Sequence, residues 1–282
     1  MKTRIGGALL LLGCLSLLGG CTAVIDQASF FPQLAEVPNA SLGVPPGYEM
    51  AEAMLKLPGL GHVHAVRLDN PASEATIVYH GGNGSFVSLL SRHAAGLADA
   101  AGADIILYDY PGRGGTSVPP TIEAAIETGP ALLKALRARG WIGTGPLFSY
   151  GLSFGGSQAA AMVREGGFAG LIIEASAADI AAVGRNFVPG LVRPFVRLRV
   201  DPALSRFDYL GYATATRTPV LLIASRDDKI VKMKNIEDFA AQLRARQTPV
   251  RMVVVPGRHG TALGQPDARA AIKAFVRERG AT

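Results

Sequence analysis

The chain predicts an α/β domain built on a mostly parallel central sheet with helices on both faces. Three observations carry that expectation. Short apolar, β-branched runs recur along the 282 residues, separated by Ala-rich stretches of helical period. The runs are nearly continuous in apolar character rather than alternating, as strands buried on both faces require. Strand and helix candidates then follow one another, so neighbouring strands run parallel through crossover connections.

The first 20 residues stand apart from this pattern. Lys2 and Arg4 precede an apolar run, Ile5 to Leu18, which is shorter than the ~18 residues of a membrane-spanning helix and reads as a cleaved signal. It ends Leu18-Gly19-Gly20-Cys21, which resembles the lipobox of bacterial lipoproteins; Leu11-Leu12-Gly13-Cys14 is a second such box. Cys21 leaves the fuller apolar region behind it. That resemblance implies lipidation at Cys21 and a membrane anchor in the bacterial cell envelope. Thr22 follows Cys21 in place of the Asp that resembles an inner-membrane retention signal, which implies the outer membrane, facing the periplasm. Cleavage would discard Cys14 and lipidation would consume Cys21, leaving no thiol for a disulfide or a metal.

Residues 21–47 carry Pro32, Pro38, Pro45 and Pro46 with little periodicity and read as a tether. The domain proper spans 48–282. Its strand candidates are Val63–Leu68, Ala75–Tyr79, Asp104–Tyr108, Pro146–Tyr150, Gly170–Glu174, Val220–Ala224 and Val250–Val255. Its helix candidates are Phe86–Ala101, Ile122–Arg139, Phe154–Arg164, Asn235–Arg246 and Pro266–Arg279. A formal net charge of +6 includes Lys2 and Arg4, and the remaining basic residues are scattered, which speaks against nucleic-acid binding.

Sites in such sheets lie at the carboxyl ends of the strands. Gly151-Leu152-Ser153-Phe154-Gly155 sits at one of these ends, between a strand and a helix candidate. Small residues beside Ser153 permit a turn sharp enough to expose its hydroxyl, and the following helix aims its free N–H groups at developing negative charge. A nucleophilic serine needs a base. Of the five histidines only His259 follows the last strand candidate, in a Gly- and Pro-containing loop suited to presenting an imidazole. His62 and His64 flank an early strand, and His93 falls within a helix, where packing or surface roles are usual. An acid between Ser153 and His259 is supplied by Asp227 or Asp228, after the strand Val220–Ala224. Asp228 is favoured to fix the imidazole tautomer, with Asp227 left to the loop or to Arg226. An oxyanion site would combine the N–H of Phe154 with one from Gly82 or Asn83, in His80-Gly81-Gly82-Asn83-Gly84-Ser85. That loop lacks the Lys-Ser/Thr of a phosphate-binding loop and the Gly spacing of a dinucleotide site. No metal or organic cofactor is implied.

Taken together, the His80-Gly81 loop, Asp109-Tyr110-Pro111-Gly112-Arg113-Gly114-Gly115-Thr116, the elbow at Ser153, the Asp228 loop and the His259 loop resemble the α/β-hydrolase superfamily over nearly the whole domain. Tyr108 to Gly112 and Phe207-Asp208-Tyr209-Leu210 look most like its small membrane-associated serine hydrolases, which include fatty-acyl hydrolases and depalmitoylating thioesterases. Gly155-Gly156 also resembles prolyl-oligopeptidase-type peptidases. The resemblance implies a serine hydrolase acting through Ser153, His259 and Asp228 on ester or thioester bonds of acyl, lipid-like substrates. The alternatives are a peptidase or amidase, or an inactive envelope protein that uses the fold for binding.

Between Gly170–Glu174 and the strand at Val220 lies an insertion, about 177–218. Phe187, Val188, Leu191, Val192, Phe195, Val196 and Leu198 alternate there with Arg185, Arg193, Arg197 and Arg199. This reads as a helical cap with an apolar face roofing an acyl pocket, or equally as an ordinary amphipathic packing helix.

Overall fold

The computed structural model describes residues 21–31 and 39–280. The leader read from residues 1–20, and the side chain of Cys21, lie outside the described residues. In chain order the strands and helices are β1 (Cys21–Ile25), β2 (Glu49–Leu57), β3 (Gly61–Asp69), β4 (Thr76–His80), α1 (Ser91–Ala101), β5 (Asp104–Tyr108), α2 (Ile122–Ala138), β6 (Leu147–Leu152), α3 (Phe154–Val163) and β7 (Gly170–Glu174). They continue as α4 (Ile180–Gly184), β8 (Val196–Val200), α5 (Pro202–Ser205), α6 (Tyr209–Thr214), β9 (Val220–Ser225), α7 (Met233–Ala245), β10 (Val250–Val255) and α8 (Pro266–Gly280).

Eight strands form one sheet in the order β10-β9-β7-β6-β4-β5-β3-β2. From β5 to β10 all neighbours are parallel, whereas β3 pairs antiparallel with both β5 and β2. Because side chains alternate along a strand, each strand feeds two cores. Val78, Ile106, Leu171, Ile173 and Leu222 pack on one face, with α2, α3 and α7. Ile77, Ile105, Phe148, Ile172 and Leu221 pack on the other, with α1 and α8. The chain reverses its direction of travel through the sheet at β4, whose neighbours are β5 on one side and β6 on the other. The crevice above such a reversal is where this architecture places ligands.

The structure adds an edge strand that the sequence candidates do not include, and it changes part of the expected helical cap. Glu49–Leu57 is rich in Ala, Glu, Met, Leu and Lys, which favour helix, yet it forms the antiparallel edge strand β2. Only its last residues alternate, with Leu55 and Leu57 buried and Lys56 exposed. The insertion between β7 and β9 is helical in α4, α5 and α6, but the stretch Val196-Arg197-Leu198-Arg199-Val200 is a strand, β8. Its strict period of two excludes a helical stripe there. β8 pairs in parallel with β1, so the segment read as a tether begins as a strand laid against the cap.

Candidate active site

Ser153 sits between β6 and α3 with φ 54° and ψ −119°, a conformation that costs a non-glycine residue on the order of 1–3 kcal/mol. The surrounding packing holds it. Its N–H donates to the Glu174 carbonyl at 2.9 Å. A Cβ on Gly155 would stand 2.0 Å from the His80 carbonyl oxygen, so only glycine lets α3 approach the end of β4 this closely. A Cβ on Gly156 would meet the Tyr209 hydroxyl at 2.4 Å. The Phe207-Asp208-Tyr209-Leu210 motif therefore supports the elbow from behind, with Tyr209 donating to Ser176 Oγ at 3.1 Å and Asp208 capping α6.

His259 and Asp228 meet, with 2.8 Å between Nδ1 and Asp228 Oδ2. The Asp228 side chain is fully buried, and its Oδ1 accepts from the N–H groups of Ile230 and Val231 at 2.8 and 3.0 Å. A carboxylate at Nδ1 fixes the proton there and leaves Nε2 as the acceptor. Asp227 is exposed and turned to the loop, with its Oδ2 3.4 Å from the Gly257 N–H. Ser153, His259, Phe154, Gly82 and Asn83 all border one cavity of 880 Å³. No hydrogen bond joins Ser153 to His259 among the described residues; such bonds commonly close only around substrate.

Several residues that shape this site escaped the sequence reading. Glu174, at the end of β7, is wholly buried. It accepts from the Tyr150 hydroxyl at 2.6 Å and from the Ala262 N–H at 2.9 Å, tying the His259 loop to the sheet. Burial pushes its carboxyl above the ordinary value, against the pull of those two hydrogen bonds. An acid closing the apolar run Gly-Leu-Ile-Ile-Glu was the available signal. Residues 27–31 form a strap. Gln27 accepts from the Ile122 N–H at 2.7 Å, and the Ser29 carbonyl accepts from Asn83 Nδ2 at 2.8 Å. Arg113 donates to Asn83 Oδ1 at 3.1 Å and to the Phe30 carbonyl at 3.3 Å. Phe30 and Phe31 pack on the Phe154 ring, with centroids 5.3 and 5.8 Å away. The strap thus holds the loop bearing Gly82 and Asn83, and no local motif announces it.

The remaining histidines are placed differently. His80 is fully buried between Tyr108 and Ser149, and burial lowers its pKa to about 3, so it stays neutral. His64 lies between Asp109 Oδ2 at 2.6 Å and Glu52 Oε1 at 2.7 Å. The Asp109 hydrogen bond, opposed by burial and joined by Glu52, raises its pKa. His93 borders the cavity from α1, against Tyr79, with its pKa lowered by burial.

The family model described as Prolyl oligopeptidase family (Peptidase_S9) matches residues 130–278. The uncharacterized protein Rv2307c of Mycobacterium tuberculosis is 27% identical over 230 residues, covering 81% of this chain and 77% of the relative. Among solved structures, the Pyrococcus furiosus esterase Pf2001 superposes with a TM-score of 0.66 at 15% identity, over 87% of this chain and 97% of that one. An esterase/lipase from an uncultured bacterium gives 0.60 at 19% identity, over 86% and 88%. The fold is that of the α/β-hydrolases.

Proposed function

From the premise that the chain belongs to the prolyl oligopeptidase family, and so is a serine hydrolase of α/β-hydrolase fold, we propose that it cleaves ester or thioester bonds of acyl, lipid-like substrates through an acyl-enzyme. The observation that carries this reading is that His259, paired with the buried Asp228, borders a single cavity together with the strained Ser153. Apolar side chains such as Ile25, Phe30, Leu152, Ile180, Leu198 and Phe207 dominate the cavity wall. Its 880 Å³ suits an acyl chain better than a charged or strongly polar group.

In this reading His259 Nε2 takes the proton of Ser153 as Oγ bonds to the carbonyl carbon. The oxyanion is held by the Phe154 N–H and one from Gly82 or Asn83. Collapse breaks the bond to the leaving group, which departs with the proton from His259. Water, deprotonated by His259 in turn, releases the acid and restores Ser153. Asp228 keeps the imidazole oriented and stabilises its charged form. Lipidation at Cys21 would hold the enzyme on the envelope membrane beside such substrates; the leader and Thr22 support the outer membrane, facing the periplasm.

An active-site-directed fluorophosphonate tests the reading. The wild type is labelled at one serine and Ser153→Ala is not, and a panel then shows ester or thioester turnover above amide turnover. An unlabelled wild type refutes the acyl-enzyme. Turnover confined to peptides or amides selects the peptidase reading that the family's name favours.

A further inference from the structure

The cap exposes a surface that the chemistry of the site does not use. Seven consecutive residues, Pro189-Gly190-Leu191-Val192-Arg193-Pro194-Phe195, are all exposed. Leu191 shows 92% of its area, Phe195 69%, and Phe187 just before them 66%. Water-soluble surfaces rarely leave so many large apolar side chains together.

The strand register extends this surface. Thr22 stands opposite Arg197, Ala23 opposite Leu198 and Val24 opposite Arg199. Ala23, Ile25 and Leu198 border the cavity, so Thr22, Val24, Arg197 and Arg199 occupy the outer face of the same ribbon. The cavity roof is therefore one ribbon thick, apolar beneath and cationic above. Arg185, Arg197 and Arg199 make no salt bridge to a described carboxylate, and Arg193 donates only to the Val188 carbonyl. The cap's three acids, Asp179, Asp201 and Asp208, each cap a helix N-terminus, accepting from the N–H groups of Ala182, Ala203 and Gly211, and none pairs with these arginines.

We propose that this face, the tip at 187–195 with the outer side of the β1–β8 ribbon, docks on an anionic phospholipid surface. Large apolar side chains ringed by arginines match the interface of such a bilayer, where the former enter the acyl boundary and the latter meet phosphates. Pairing with a second copy through the same face would set arginine against arginine. No helix among the described residues is long and apolar enough to cross a membrane, so the face lies on the lipid rather than in it. Because Phe187 belongs to both the exposed tip and the cavity wall, docking brings the cavity mouth to the lipid. That last consequence rests on the acyl-hydrolase reading; the docking itself does not.

Tryptophan placed in the full chain at Phe195→Trp, and as a control at Glu165→Trp, reads the contact directly. Glu165 follows α3 at the opposite, amino-terminal edge of the sheet. The buried native Trp141 supplies a constant background. With vesicles of phosphatidylglycerol and phosphatidylcholine carrying brominated chains, position 195 is quenched and blue-shifted while 165 is not. Arg197→Gln with Arg199→Gln weakens the quenching partition by more than tenfold, at about fivefold per arginine, and salt does the same. Vesicle-bound protein with position 195 unquenched overturns the proposal, since the chain is then held by another part. Equal quenching on pure phosphatidylcholine, indifferent to the arginines, also overturns it. A lipid-independent blue shift that grows with protein concentration replaces lipid by a second copy. None of these readouts requires catalysis, so the proposal can fail while the hydrolase reading stands.

Discussion

Asp228→Asn separates the role of the acid from its packing. The variant is isosteric, and the two backbone donors decide how its amide must lie. Oδ1 of Asp228 accepts from the Ile230 and Val231 N–H groups at 2.8 and 3.0 Å. An Asn oriented with its NH₂ toward them loses two hydrogen bonds, about 1 kcal/mol each, and sets donors against donors. The carbonyl therefore keeps that side and the NH₂ takes the place of Oδ2, 2.8 Å from His259 Nδ1. It can only donate. Nδ1 must then be the unprotonated nitrogen, and Nε2 carries a proton toward Ser153, so the imidazole can no longer serve as base. The same tautomer reversal in a serine triad lowers turnover by ~10⁴, about 5.5 kcal/mol of transition-state stabilisation. Hydrolysis of a short p-nitrophenyl ester and the rate of fluorophosphonate labelling should both fall by that order, with the folded stability little changed. Asp227→Asn, at an exposed carboxylate 3.4 Å from the Gly257 N–H, should stay within a few-fold of wild type. A variant at 228 that keeps a tenth of the activity, or one at 227 that loses as much, refutes the assignment.

Two further outcomes follow from the surroundings of the site. Phe30→Ala removes a ring that borders the cavity and packs on Phe154, so kcat/KM should drop more for long acyl esters than for short ones. Each lost methylene contact is worth up to about 0.8 kcal/mol, and a chain-length series with an unchanged slope would exclude Phe30 from the acyl wall. His64 binds its proton more tightly when folded, chiefly through Asp109, so the clasp stabilises the fold fully below the ordinary value of 6.5 and less as pH rises through the raised folded value. Urea midpoints of wild type should decline over that interval relative to His64→Gln; parallel pH profiles would mean the clasp contributes nothing.

The legible part of this chain was what strong local chemistry dictates. Buried parallel strands are continuous apolar runs, and Asp104–Tyr108 and Gly170–Glu174 fall where the sequence put them, as does the half-exposed edge strand Val250–Val255. Ser153 was visible because a strained turn needs its small neighbours at fixed offsets. Lost to local reading were elements defined by partners far away in sequence. β2 becomes a strand because β3 offers it an edge, overriding residues that favour helix. The strap reaches Asn83 across 54 positions and Arg113 across 83, contacts that no pattern within residues 27–31 encodes. Glu174 is intermediate. Its charge at the end of an apolar strand was visible, but its grip on Ala262, 88 positions away, was not.

The histidines show why pairwise chemistry alone does not make a site. His64 has a carboxylate on Nδ1 at 2.6 Å, as His259 has, but its Nε2 is occupied by Glu52, and no serine can deliver a proton there. His80 has a serine hydroxyl 2.9 Å from Nε2, the contact that a nucleophile–base pair needs. That pair is sealed in the core, its imidazole is held neutral, and a phenol rather than a carboxylate faces Nδ1. His93 borders the cavity, yet its Nδ1 finds no partner among the described residues. Only His259 combines a buried carboxylate at Nδ1 with a place on the cavity that Ser153 also borders. Strand ends explain the difference. β6, β9 and β10 release their chains at the carboxyl edge, so Ser153, Asp228 and His259 arrive above the sheet from three directions. His64 and His80 lie within strands, where neighbours fill every direction an imidazole can face.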